Sequence, residues 1–395
     1  MRDVAIIGTG QTRFGRWDKS NTELFCDAAL EAMEEANVDQ KDIEALYAGA
    51  VFPTFEEGQC NIGGHLVESL HLGNIPATRF EGACCSATIA IRDAYMWVAS
   101  GFYDIVLAGG TERALLMGTS LATKTFAMAG DCKYEGNAGI TFPGMFAMAA
   151  RRYSKIYDIP LDKLREKMAH VSIKNHKHGA LNPLAQFYQK MGNLKVEDVI
   201  NSRMICDPLT LMDCCPFSDG GAAAIIASAD IARRYTDEPI YILGAGQGSA
   251  GHLGAQEDMT KPASRVFSSR SAFKQAGLGP KDIDIMEIHD CFTSAEIIAS
   301  EAIGFFDWGK GADAVEEGQT DIGGRPVVNP DGGLMGKGHP IGATGAAQVH
   351  TIAEEMKGRA PKGNQVDPVP EIGMTDTLGG GFNTLAHLIL GRSRR

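Results

Sequence analysis

Cys84, His289, Cys291 and His339 are the residues of this chain best placed by type and spacing to make and break bonds. Cys84 stands in Glu81-Gly82-Ala83-Cys84-Cys85-Ser86-Ala87. Before it, Pro76 to Phe80 reads as a short strand. After it, Ile89 to Ser100 is rich in Ala, Ile and Val, lacks Gly and Pro, and reads as a buried helix. A thiol at such a turn meets the positive end of the helix dipole and free backbone N–H groups, which lower its pKa and favour the thiolate. The same N–H groups can hold an oxyanion on the group attacked. A small cysteine packed against a helix is the plain alternative, and this stretch alone does not choose between them. His289-Asp290-Cys291-Phe292 follows the strand-like Ile285 to Ile288, and His339 lies in the glycine-rich Gly338-His339-Pro340-Ile341-Gly342-Ala343. Each histidine therefore falls on a strand-to-helix connection, the same kind of place as Cys84. Such connections gather at one end of an α/β sheet, so a thiol and two imidazoles are expected to share a pocket. His65, His71, His170, His252, His350 and His387 have no such setting and read as structural.

The elements that must position these groups alternate strand and helix, and they occur twice. Val4 to Gln11 is a buried strand ending in Gly8-Thr9-Gly10; Arg13 stands where a dinucleotide fingerprint needs its third glycine. Tyr241-Ile242-Leu243-Gly244-Ala245-Gly246-Gln247 repeats that strand glycine for glycine. Ala272 to Asp284 repeats the pattern of Ala32 to Glu44. These matches predict an internal duplication in a mixed α/β fold, with the halves meeting near Asp230 to Pro239. The stretch from about Leu115 to Leu211 has no counterpart and reads as an insertion, a length that is usually functional. Within it, Ser172 to Gly179 is the most basic part and reads as a solvated helix face, with contact to a ligand phosphate the second reading. Met117, Phe126, Met128, Phe142, Met145 and Phe146 read as core, or as the lining of an apolar acyl tunnel.

Composition sets outer bounds. The 395 residues are 44% hydrophobic and 22% charged with a net charge of −12, an ordinary globular composition with no basic surface for nucleic acid. No apolar run reaches membrane-spanning length. Met1-Arg2-Asp3 leads straight into the first strand, and the chain carries nine cysteines. A cytoplasmic setting with reduced thiols is expected. No Cys-x-x-Cys pair is present, and adjacent pairs such as Cys84-Cys85 and Cys214-Cys215 chelate poorly, so no metal is expected.

Taken together, Cys84-Cys85-Ser86-Ala87, His289-Asp290-Cys291-Phe292, Gly338 to Ala343 and the closing Leu378-Gly379-Gly380-Gly381 resemble the thiolase family over essentially the whole chain. The resemblance implies two β-α-β-α-β-α-β-β halves in a five-layered α-β-α-β-α core with an inserted loop domain. It places 1–114 with 212–235 in the first half, 115–211 in the insertion and 236–395 in the second half. Common thiolases have Asn-Glu-Ala-Phe where this chain has His289 to Phe292, and a cysteine where it has Thr377. Cys291 is the obvious replacement, as in the sterol-carrier-protein and archaeal types. The activity implied is reversible Claisen condensation or thiolysis of a 3-oxoacyl-CoA. Cys84 would be the nucleophile, His339 its base, and Cys291 the second acid/base. His289 and His339 would hold the enolate oxygen, and the N–H groups of Cys84 and Gly379 the oxyanion. A shifted alignment would choose Cys85 instead. Substrates would be coenzyme A thioesters, with no permanently bound cofactor. A homodimer through about Ala77 to Phe80 is expected, along with a possible small OB-fold zinc-ribbon partner. The acyl product is either acetoacetyl-CoA or the fragments of a branched or aromatic 3-oxoacyl-CoA. A ketosynthase-like condensing enzyme and a non-catalytic lipid-binding or scaffold protein are the alternatives.

Overall fold

The computed structural model describes residues 1–394. Its strands are β1 (Val4–Gln11), β2 (Ala45–Gly49), β3 (Ala77–Phe80), β4 (Ile105–Arg113), the small pair β5 (Met204–Cys206) and β6 (Leu209–Thr210), β7 (Asp219–Ser228), β8 (Ile240–Ser249), β9 (Ile285–Glu287), β10 (Val327–Val328), β11 (Ile372–Gly379) and β12 (Thr384–Gly391). All but β5 and β6 form one sheet in the order β10-β9-β11-β12-β8-β1-β7-β4-β2-β3. Read outward from the centre, β1-β7-β4-β2-β3 and β8-β12-β11-β9-β10 run through the same pairings. The first two contacts of each series are antiparallel and the last two parallel. The expected duplication is thus present strand for strand. The halves join through a short antiparallel contact, Ala5 opposite Tyr241 and Ile6 opposite Ile240.

The repeated glycines have a packing cause. A Cβ on Gly10 would lie 2.2 Å from the carbonyl oxygen of Ala28, and one on Gly246 2.0 Å from that of Ser268. Each half therefore lays one outer helix, Asn21–Ala36 or Ala263–Ala276, directly on its first strand. The Asn21–Ala36 helix is fixed at both ends. Ser20 and Glu23 form a reciprocal cap, and Asn37 closes the last turn in the left-handed conformation at φ 51°.

Between the two halves lie the helices Ser86–Ser100 and Thr344–Met356. Their Ala87, Ala90, Ile91, Ala94, Ala346, Val349 and Ile352 are buried with Val106, Ile226, Leu388 and Leu390 from both halves of the sheet. A second core packs the outer helix Asn21–Ala36 on the first half, and another packs Ala263–Ala276 on the second. The layers therefore run helix, sheet, helix, sheet, helix. The small side chains of the central layer explain how two helices fit between the two halves of the sheet.

Candidate active site

The nucleophile turn forms where β3 ends. Ala83 takes the left-handed conformation at φ 50°, rare for a residue with a Cβ. The Ser86 hydroxyl accepts from Gly82 N at 3.0 Å and donates to Ala83 O at 2.6 Å, locking the turn into the helix that follows. This geometry sends the adjacent thiols opposite ways. Cys84 lines a cavity of about 230 Å³. Cys85 is fully buried, its sulfur against Thr377 O at 3.1 Å and Thr384 O at 3.2 Å.

The second half supplies the imidazoles. His289 follows β9 and is fixed by its backbone N–H, which donates to Asp376 Oδ2 at 3.1 Å. Asp376 is gripped by Arg265 at 3.0 and 3.1 Å, and that guanidinium holds the buried carboxyl well below the usual range. His339 is fixed by Ser218 Oγ, which accepts its backbone N–H at 2.9 Å. Thr344 spends its hydroxyl proton on Pro340 O at 3.0 Å, so the 2.7 Å contact to His339 is donated by Nδ1–H. That tautomer leaves the Nε2 lone pair of His339 free. The two rings meet edge to face with centroids 5.0 Å apart. The sulfur of Cys84 and one nitrogen from each ring all lie within 4.8 Å of one another. Neither ring nitrogen of His289 has a partner among the described residues.

Cys291 enters the same cavity, so Cys84, His289, Cys291 and His339 are brought together. Gly379 is not part of its wall. It is the last residue of β11, paired with Thr384, and the chain turns only at Gly380, φ 64°. Gly380 lines the cavity, and its N–H acts with that of Cys84 on the Cys84 sulfur. Gly379, expected as the second oxyanion donor, therefore does not line the cavity, whereas its neighbour Gly380 does.

Burial governs the charges. It pushes the Cys84 thiol well above its ordinary pKa, despite the lowering by the N–H groups of Cys84 and Gly380. Desolvation thus acts against the helix-dipole expectation of a depressed pKa and is the larger effect at Cys84. Burial likewise raises Cys291 well above the ordinary thiol range, lowers His339 to about 3, and lowers His289, on which His339 acts further. Burial thus favours the neutral forms of both thiols and both imidazoles.

Two buried carboxyls tie the loops together. Glu112 accepts N–H bonds from Val51 at 3.0 Å, Phe52 at 2.8 Å and Gly342 at 2.9 Å, joining the first half to the His339 loop. Asp290 accepts from Leu334 N at 2.7 Å, Met335 N at 3.1 Å and Asn175 Nδ2 at 2.7 Å. Asn175 belongs to the inserted helix Leu161–Gly179. Ser172, Lys174, Asn175, His176 and His178 are all buried, so this stretch is neither a solvated face nor a phosphate site. Its Lys174 pairs with Glu296 at 2.8 Å behind the His289 loop.

The rest of the cavity wall is mostly apolar, with Thr119, Thr123 and Arg203 as its polar members. Phe126, Phe142 and Phe146 line it as expected of a tunnel, whereas Met117, Met128 and Met145 do not. Sequence reasoning missed Phe217, Phe292, Cys214 and Cys215 in this wall, and Arg203, which is exposed and has no carboxylate partner among the described residues. A run of cysteine and phenylalanine just ahead of β7, Cys214-Cys215-Pro216-Phe217, was the available signal.

Comparison with known proteins agrees with this geometry. A family model described as thiolase, N-terminal domain, matches residues 4–230, and one described as thiolase C-terminal domain-like matches 245–392. The chain belongs to the thiolase family. It is 43% identical to an acetyl-CoA acetyltransferase of Methanothermobacter thermautotrophicus, over 99% of this chain and 100% of that one. It is 34% identical to a benzoylsuccinyl-CoA thiolase subunit of Thauera aromatica, over 96% and 95%. A solved Ltp2-ChsH2(DUF35) aldolase superposes with a TM-score of 0.83 at 27% identity, covering 100% of this chain and 98% of that one. As a thiolase, the protein is an acyltransferase whose substrates are coenzyme A thioesters. No helix of the described residues is long and apolar enough to cross a membrane.

Proposed function

We propose that this thiolase works through an acyl-Cys84 intermediate. The observation that carries the assignment is the clustering of the Cys84 sulfur with a nitrogen of His289 and of His339, all within 4.8 Å, at an apolar cavity. In the cleavage direction, His339 Nε2 takes the Cys84 proton and the sulfur attacks the 3-oxo carbon. The N–H groups of Cys84 and Gly380 stabilise the oxyanion on that carbon. The carbon–carbon bond breaks to give the enolate of the departing acyl-CoA, whose oxygen is held by His289 and His339. Cys291, a thiol at rest because of its burial, protonates the enolate carbon. The Cys291 thiolate then takes the proton of a second CoA thiol, whose sulfur attacks the acyl-Cys84 thioester, and the departing Cys84 sulfur recovers its proton from His339. Condensation runs the same steps in reverse.

The aromatic wall formed by Phe126, Phe142, Phe146, Phe217 and Phe292 supports an acyl group larger than acetyl. The similarity to an acetyl-CoA acetyltransferase supports acetoacetyl-CoA formation as the second reading. Intact-mass measurement and peptide mapping after mixing with acetyl-CoA, acetoacetyl-CoA and an aromatic 3-oxoacyl-CoA separate these. The expected result is an adduct on Cys84 that is absent from Cys84→Ala, and greatest with the aromatic substrate. No adduct with any thioester overturns the assignment.

The inserted segment 115–211 acts in this reading as the wall and brace of the site. Two assembly proposals complete it. Strand β3 has one edge without a neighbour in the sheet, which supports a homodimer through Ala77–Phe80. The Ltp2-ChsH2(DUF35) similarity supports a small OB-fold, zinc-ribbon partner. Co-purification, and activity with and without such a subunit, test the second.

A further inference from the structure

The three groups assigned to acyl transfer also form a ligand set. Cys84 offers a thiol, and His289 and His339 offer neutral imidazoles; the donor atoms are mutually within 4.8 Å. Both ring nitrogens of the fully buried His289 lack any partner among the described residues, so one lone pair is unclaimed. His339 is held as the Nδ1–H tautomer by Thr344, which leaves Nε2 as a donor to a Lewis acid. Second-sphere hydrogen bonding of this kind orients metal-binding histidines generally. Zinc–sulfur and zinc–nitrogen bonds of about 2.3 and 2.0 Å in a tetrahedron bring ligand atoms to about 3.5 Å apart, so small side-chain rotations close the set. The absence of a Cys-x-x-Cys pair does not bear on this site, whose ligands come from three loops far apart in sequence.

We infer that this cluster is a binding site for a borderline-soft divalent cation, Zn²⁺ above all, and that the metal reversibly shuts the enzyme off. The step is a ligand exchange without redox chemistry. Zn²⁺ takes the Cys84 sulfur, the thiol proton leaves to solvent, and His289 and His339 complete the protein's share of the coordination. Coordination takes up the His339 lone pair needed as base and the His289 nitrogen needed to hold the enolate, and an acylated sulfur is too poor a donor to hold the metal. Zinc and acyl-CoA therefore exclude one another. Hard cations such as Mg²⁺ prefer oxygen ligands and should not enter. The competition rests on the acyl-Cys84 reading; the metal site does not.

The test uses the intact protein after chelator treatment, titrated with ZnCl₂ by calorimetry and with CoCl₂ by absorbance. One equivalent of zinc per chain and a near-ultraviolet thiolate-to-cobalt charge-transfer band are expected. Zinc affinity should fall at least 100-fold in Cys84→Ala and at least 10-fold in His289→Gln. It should be unchanged when the exposed Cys60 and Cys132 are replaced together by Ser. Acetyl-CoA should displace the metal, and a chelator should restore full activity. Binding retained in Cys84→Ala, or the absence of a cobalt–thiolate band in wild type, overturns the inference. An acyl adduct on Cys84 without one-equivalent zinc binding sinks the metal site and leaves the function standing. A cobalt–thiolate band without any adduct does the reverse.

Discussion

Neighbouring thiols at the nucleophile turn meet opposite surroundings. Cys84 faces the cavity and the two imidazoles, while Cys85 faces two backbone carbonyls at the end of the sheet, where burial raises its thiol to about 12. Cys84→Ala should abolish turnover, whereas Cys85→Ala should keep turnover within a few-fold and cost about 1 to 2 kcal/mol of stability through the lost packing and contacts. Steady-state kinetics and denaturant unfolding check the pair. Cys291 separates the chemical steps differently. Cys291→Ala should lower the carbon–carbon step by about 10² to 10⁴-fold while acyl-Cys84 still forms from a simple thioester, as stopped-flow and mass measurements would show. All of these side chains could be read from the sequence, because Cys84, His289, Cys291 and His339 stand in short motifs at strand ends. What could not be read was direction and environment. Which cysteine faces the pocket depends on the left-handed Ala83, and the raised thiol pKa depends on walls supplied by the insertion.

At the scale of elements, the site depends on how closely the central helices cross. A Cβ on Gly345 would lie 2.0 Å from Thr88 Oγ1 and 2.7 Å from Thr88 N, so backbone and side chain both block it. Gly345→Val should force the helices apart at about 1 to 3 kcal/mol. Because Gly345 lies in the first turn of the helix after the His339 loop and Thr88 lies just past Cys84, the same change should depress kcat more than stability alone explains. Thermal melts and kinetics on one preparation decide it; full activity with an unchanged melting midpoint would refute the coupling. The strand–helix alternation and its duplication were legible, since matching glycines mark matching helix contacts. The stretch Ser172 to Gly179 was misread because its charge count suggested solvent. Only Lys177 of the basic run stays well exposed, while Lys174 and Asn175 are consumed by buried Glu296 and Asp290. A charge run is silent about partners that lie over a hundred residues away.

Across the whole molecule, several histidines are buried uncharged, and this sets how stability responds to acid. His350, on the second central helix, has its pKa lowered to about 4 by burial, with Nδ1 against Thr9 Oγ1 at 3.0 Å. Unfolding exposes it to water, where it takes a proton near pH 6.5. Between those values the unfolded chain binds more protons, so this contribution is complete above about pH 6.5 and is lost as pH falls towards 4. His350→Gln should flatten the loss of unfolding free energy over that window by up to about 3 kcal/mol, given about 1.4 kcal/mol per pKa unit. Parallel pH profiles for the two proteins would show the mutation inert if the curves keep the same shape. The duplicated architecture has a consequence for the order of events during synthesis. Cys84 belongs to the half made first, and His289 and His339 to the half made last. A ribosome therefore releases the thiol long before its imidazoles exist, and domains tend to fold as units as they emerge. The protein becomes an enzyme only when its second half docks on its first, so acylation by a thioester could serve as a clock for the final step of folding.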